Sequence, residues 1–236
     1  ARGGGDAMSA GIGNALRRNG RIAGALYLVV VATGMFCLAW VPSQLGTRVA
    51  DAAAHIGLFR AGIAAFMAMQ VAFLLLPLAL YRVLGDVDRR AATLMVALAA
   101  ASVPIGLMAL SHRMEALSLL DSTAAQATAA VDAAFAASLQ RYGHGLRIAS
   151  LFWGLWLLPF GWLVLRSARI PRVLGVLLML GSIGYVVKVF GGLMPGFADS
   201  AFARYATLPA ALGEIGSCLW LLAFGARAGR VPSAAS

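Results

Sequence analysis

Apolar residues run along this chain in six long stretches, and the polar intervals between them are short and rich in arginine. The stretches are Ile22 to Val41, Phe59 to Tyr81, Ala91 to Leu110, Leu146 to Leu165, Val173 to Met194 and Tyr205 to Phe224. Each has about the 20 residues that a helix needs to cross a hydrocarbon core of roughly 30 Å. A helix pairs its own backbone groups, which a span in lipid requires. The expected fold is therefore all-α, a polytopic membrane protein built as a six-transmembrane-helix bundle.

The longest connection, residues 111 to 145, carries a pattern of its own. In "TAAQATAAVDAAFAASLQRY", Thr123 and Gln126 stand at capping-box spacing, and Val131, Phe135, Leu139 and Tyr142 follow at helical intervals along one face. This predicts an amphipathic helix on the outer side, laid along the membrane surface or capping the mouth of the bundle. Residues 1 to 20 lack such periodicity and read as a disordered leader, 21 to 226 as the transmembrane domain, and 227 to 236 as a loose tail. The first stretch is longer than the apolar core of a signal peptide and lacks a small-x-small site before Pro42, so it reads as an anchor. Pro77, Pro104, Pro159 and Pro209 fall in or at the ends of spans, where they kink helices. The Gly20/Gly24 and Gly192/Gly196 pairs read as close helix packing.

Composition narrows the class further. With 61% hydrophobic and only 12% charged residues, the chain does not resemble a soluble domain. A net charge of +10 raises nucleic acid as a partner, but the arginines punctuate the gaps between apolar runs instead of clustering, so no nucleic acid is expected. Eleven of them (Arg17, Arg18, Arg21, Arg82, Arg89, Arg90, Arg166, Arg169, Arg172, Arg227 and Arg230) fall in the leader, the even loops and the tail. The opposite loops hold Arg48, Arg113, Arg141 and Arg204. The positive-inside rule then puts both termini in the cytoplasm and residues 111 to 145 outside. Cys37 and Cys218 lie at different depths and read as two buried apolar thiols, not a disulfide.

Ionisable groups inside the spans carry the remaining information. Lys188, the only lysine, lies within "GYVVKVFGG", and Glu214 lies in the sixth span. Counted from the outer ends of their spans, both sit at roughly 9 to 14 Å depth. An unpaired charge in hydrocarbon is costly, so Lys188 is expected to face the interior and meet Glu214. The other reading lets the lysine snorkel to the headgroups while Glu214 stays protonated and bonded to a neighbouring helix. Arg60, Gln70, His112, His144 and Arg147 join these two as the expected lining of a pocket open to the exterior. Cations outnumber acids there, which suits an anionic or amphipathic small molecule, or a lipid headgroup. His55, His112 and His144 all fall on this side, so a metal or haem redox centre is the alternative. No histidine pair has metal-ligand spacing, and no nucleophile elbow, P-loop or dinucleotide fingerprint occurs. The sequence names no cofactor.

Four segments carry a likeness: "NGRIAGALYLVVV", "GLFRAGIAA", "HGLRIASLFWGLWLLPFGWLVLRSARIPRVLGVLLMLGSIGYVV" and "LPAALGEIGSCLWLL". Together they resemble a family of bacterial integral membrane proteins defined as a domain of unknown function. The "IPRVLG" loop, the Gly184–Tyr185 step and the Gly213–Glu214 pair are its most specific parts. The resemblance implies six spans in a bacterial inner membrane and no established activity. Members often carry aspartate where this chain has Lys188, so the charge beside Glu214 is reversed here. The functional expectation is a receptor, carrier or accessory subunit, with membrane lipid and a larger membrane complex as partners.

Overall fold

A computed structural model describes residues 3–46, 48–123, 128–197 and 200–227; of these, side chains 3–10, 12, 122 and 123 are not described. Among the described residues the chain is helical with short connections. The elements are α1 (Gly3–Gly34), a π-helix (Met35–Trp40), α2 (Val41–Gln44), α3 (Val49–Ala54), α4 (Ile56–Leu84), α5 (Arg89–Thr123), α6 (Ala129–Leu155), α7 (Leu157–Ser167), α8 (Arg172–Gly191), α9 (Ala201–Tyr205) and α10 (Leu208–Phe224). Six segments are long and apolar enough to cross a membrane: Gly13–Gln44, Ile56–Leu84, Arg89–Asp121, Ala129–Ser167, Arg172–Gly191 and Ala201–Phe224. α1 starts at Gly3, within the stretch expected to be an unstructured leader. Of the tail, only Arg227 lies among the described residues.

The prolines act on the helices that hold them. Pro42 cannot donate to the carbonyl four residues back, and the turn before it widens to a π-helix in which Val41 N–H bonds to Phe36 O. Pro159 likewise withholds the N–H that Leu155 O would accept, and the helix breaks for one residue at Trp156 between α6 and α7. Pro77 and Pro104 lie inside unbroken α4 and α5.

The chain divides into two compact units, described separately here. Unit 1 comprises residues 1–28, 75–98 and 153–236, and unit 2 residues 29–74 and 99–152. In unit 1, α7 and α10 both pack on α8. Glycines set the spacing. A Cβ at Gly181 would lie 2.4 Å from Ala210 Cα, and one at Gly213 would lie 3.0 Å from Leu178 N. A Cβ at Gly20 would fall 2.3 Å from Ala226 N, and at Gly24 2.6 Å from Leu222 N. Gly20 and Gly24 therefore close the α1/α10 seam, as expected. The expectation fails for Gly192 and Gly196: a Cβ on the first meets only its own helix's carbonyls, and one on the second meets nothing within 4 Å.

In unit 2 the expected surface helix is absent as a separate element. α5 runs on to Thr123 and α6 begins at Ala129, so most of the 111 to 145 connection is a continuous extension of two spans. Gln126 of the expected capping box lies outside the described residues; Thr128 caps α6 instead, accepting from Val131 N at 3.4 Å. Two of the four stripe residues are buried inside the protein, and Val131 and Leu139 are half-buried. Phe135 is fully buried with its ring 6.1 Å from Phe59, and Tyr142 meets Phe66 edge-on at 6.0 Å, both partners being on α4. Polar contacts fasten the same hairpin: Arg60 to Asp121 at 2.7 Å and Val49 N–H to Asp132 Oδ1 at 2.9 Å. The sequence leaves membrane surface and bundle mouth both open for this stripe, because nothing in it shows that α4 and α6 lie side by side.

Candidate functional sites

Lys188 and Glu214 both belong to unit 1, and the α8/α10 register keeps them apart. Gly184 stands against Ala206, Gly181 against Ala210, Gly213 against Leu178 and Gly216 against Leu174. In that antiparallel register Glu214 is level with about residue 177, some eleven residues below Lys188, a separation of roughly 16 Å along the axis. The expected pair does not form. Lys188 is exposed near the end of α8, and among the described residues it takes part in no ion pair. The expectation failed because depths were counted from span ends taken as level, whereas in this register the start of α10 at Leu208 stands opposite about residue 183, some eight residues short of the end of α8 at Gly191.

Glu214 has a different partner. The Tyr27 hydroxyl of α1 donates to Glu214 Oε1 at 3.1 Å. Tyr27 is fully buried in an aromatic setting, 6.2 Å from Trp156 and 6.4 Å from Phe160, which stack on each other at 5.4 Å and 6°. One turn along α10 the Ser217 hydroxyl is buried with no hydrogen-bond partner, and Cys218 Sγ reaches the Gly24 carbonyl at 3.7 Å. Sequence reading passed over Tyr27. Counting depths would not have found it, since Tyr27 is six residues past Arg21 while Glu214 is ten before Phe224.

The other five expected lining residues are in unit 2, and most of them face outward. Arg60 is committed to Asp121 at 2.7 Å, while His144 and Arg147 are exposed. His112 meets Glu115 at 3.2 Å, and Glu115 also takes Arg141 at 3.3 Å. Gln70 alone is buried; its amide donates to Val103 O at 3.1 Å and occupies the space over Gly106, where a Cβ would lie 2.3 Å from Nε2. A notch of about 320 Å³ opens between α5 and α6, lined in part by Glu115, Ser138 and Arg141, and none of the seven expected residues lines it. His55 Nδ1 lies 3.2 Å from Asp51 O. Among the described residues no three His, Cys, Asp or Glu side chains gather into a metal site.

The residue that stands out in unit 2 is Arg113, which the sequence places among the outer loop arginines and in the outer polar cluster but not among the seven expected lining residues. Only 3% of it is exposed. Its guanidinium carbon lies 4.9 Å from the centre of the Phe59 ring and 5.4 Å from that of Tyr142. Room for it comes from Gly62, where a Cβ would lie 3.1 Å from Nη2 and 3.0 Å from Val41 Cγ1. Among the described residues it takes part in no ion pair, and both Arg113 Nε and the Tyr142 hydroxyl are buried without a hydrogen-bond partner. The sequence holds a signal for this. Ala109, Leu110, Arg113, Ala116 and Leu120 share one buried face of α5, so the arginine sits inside an apolar stripe.

These features lie within one family match: the profile of a family described as a domain of unknown function (DUF4386) covers residues 22–225. The chain belongs to the DUF4386 family. That agrees with the likeness read from its motifs, and the DUF4386 region takes in all six apolar segments apart from the first turns of α1. No curated protein and no solved structure matches the chain. The "IPRVLG" loop of this DUF4386 protein ties the arginine-rich end of unit 1 together. Arg169 donates to the Val83 carbonyl and to both oxygens of Asp86, at 2.6 and 2.5 Å, while its own carbonyl accepts from Arg227 N at 3.3 Å. The guanidinium bonded to Asp86 holds that carboxyl below the usual aspartate range.

Proposed function

We propose that this DUF4386 protein is a multi-pass protein of the bacterial inner membrane, with both termini cytoplasmic. In this reading it is a receptor, carrier or accessory subunit that performs no chemistry of its own. It binds the anionic head of an amphipathic molecule where α4, α5 and α6 enclose Arg113. The orientation rests on the eleven arginines of the leader, even loops and tail against four in the opposite loops. Membrane lipid supplies one source of such a molecule, and a larger membrane complex is the setting for an accessory role.

The observation that carries the reading is the buried guanidinium of Arg113, which has no carboxylate partner among the described residues. Burying a lone charge costs several kcal/mol even after relaxation. Two desolvated cation–π contacts return about 2 kcal/mol each at best, and a vacant Nε returns nothing. An oxyanion bridging Arg113 Nε and the Tyr142 hydroxyl would satisfy both orphaned donors at once. The apolar surroundings, Phe59, Phe135 and Val41, suit a hydrocarbon tail. The test is extraction in mild detergent followed by mass spectrometry of co-purified molecules. An acidic amphiphile enriched over bulk membrane, lost in Arg113→Gln and kept in Arg147→Gln, is the expected result. Absence of enrichment, or enrichment indifferent to Arg113, overturns the reading.

A further inference from the structure

At the arginine-rich end of unit 1, the loop between α7 and α8 meets the end of α10 around a cavity of about 270 Å³. It is lined by Ala168, Arg169, Ile170, Pro171, Arg172, Trp220 and Arg227. Three arginines and a tryptophan therefore line one small cavity. We propose that this cavity is a phosphate-binding site, and that its ligand is the phosphate of an anionic phospholipid headgroup.

The polar groups around the cavity are cationic and only partly used. Arg169 spends its two terminal nitrogens on Asp86 and the Val83 carbonyl, and its buried Nε has no partner. Asp86 is thereby consumed as a counter-ion. Arg172 and Arg227 take part in no ion pair among the described residues. Arg227 lies over the Trp220 ring at 4.5 Å and within 6.0 Å of the Phe224 ring, so it is held at the wall, and Trp220 Nε1 is buried without an acceptor. The twenty-residue α8 opens at Arg172, which lines the cavity, so the positive end of its dipole adds to the same side. Donors converge there with no acceptor among the lining side chains.

A tetrahedral phosphate matches that set, since arginine pairs phosphate oxygens in fork geometry and an indole N–H needs a single acceptor. The apolar neighbours decide the source. Val173 and Phe224, next to the cavity in chain order, are 62% and 53% exposed, which places hydrocarbon-facing side chains beside the phosphate position. A free phosphate would gain nothing from them, whereas acyl chains would. Basic pockets between membrane helices are a known setting for acidic headgroups. The site is distinct from Arg113 and does not rest on the reading given for it.

The test uses the full chain in neutral detergent and native mass spectrometry, with phosphatidylglycerol, phosphatidylcholine or inorganic phosphate as the added probe. One phosphatidylglycerol retained at least about tenfold more tightly than phosphatidylcholine is the expected result, with inorganic phosphate competing only at far higher concentration. The pair Arg172→Gln and Arg227→Gln should abolish that preference, and Trp220→Phe, which keeps the ring under Arg227 but removes the N–H, should weaken it several-fold. The charge-matched pair Arg89→Gln and Arg90→Gln should leave it intact. Equal retention of both lipids, an equal loss in the control pair, or phosphate binding that lipid does not displace would overturn the proposal. Arg172 and Arg227 are exposed, so their removal leaves folding intact, and Arg169 is untouched because it clamps Asp86.

Discussion

The 3.1 Å bond from Tyr27 to Glu214 replaces the charge pair that depth alone would suggest. A carboxyl on a membrane helix with no cation beside it needs a donor, and the phenol, itself fully buried, needs an acceptor. Each answers the other. Removing one leaves a polar group stranded, so Tyr27→Phe and Glu214→Leu should each lower stability by about 1 to 3 kcal/mol and combine less than additively. Lys188→Met should change stability by less than about 0.5 kcal/mol and add independently to Glu214→Gln, because the ammonium is exposed and unpaired. Thermal unfolding of the purified variants in one detergent measures both cycles. Strong coupling between Lys188 and Glu214, with none between Tyr27 and Glu214, would refute this assignment.

Elements join through contacts that their own periodicity does not name. The stripe of α6 that looks made for a membrane surface is the inner face of a hairpin packed on α4, with Phe135 fully buried against Phe59. A side chain lying on lipid loses little when truncated, whereas a packed ring leaves a cavity. Phe135→Ala should therefore cost about 3 to 5 kcal/mol, and Phe135→Leu much less. The measurement is the detergent-solubilised melting temperature of both variants; an alanine variant as stable as the parent would mean that α6 does not pack there. The π-helix before Pro42 belongs to the same scale, since a missing N–H displaces the hydrogen bonds of the turn before it.

At the level of the whole chain, the six apolar segments and the arginine asymmetry together define a topology that can be measured. In a background with Cys37 and Cys218 replaced, a cysteine at Ala130 should react with a membrane-impermeant maleimide in intact cells. One at Arg89 should react only after permeabilisation. Labelling at Arg89 in intact cells would invert the orientation.

The chain alone determined that six helices cross a membrane, because lipid leaves no other way to satisfy backbone groups and because apolar length is read residue by residue. It offered Gly20/Gly24 and Gly192/Gly196 alike as packing pairs, and only the structure showed that the first marks a seam. The tertiary structure decided the partners. Whether Glu214 meets Lys188 or Tyr27 depends on the register between α10 and its neighbours, a quantity fixed by glycines and bulky side chains on three helices at once. Whether Phe135 faces lipid or Phe59 depends on which helix lies beside α6. Arg113 reads as a loop cation until Phe59, Gly62 and Tyr142 close around it. Periodicity reports which face of a helix is apolar, but a membrane and a neighbouring helix are equally apolar, so only packing distinguishes them.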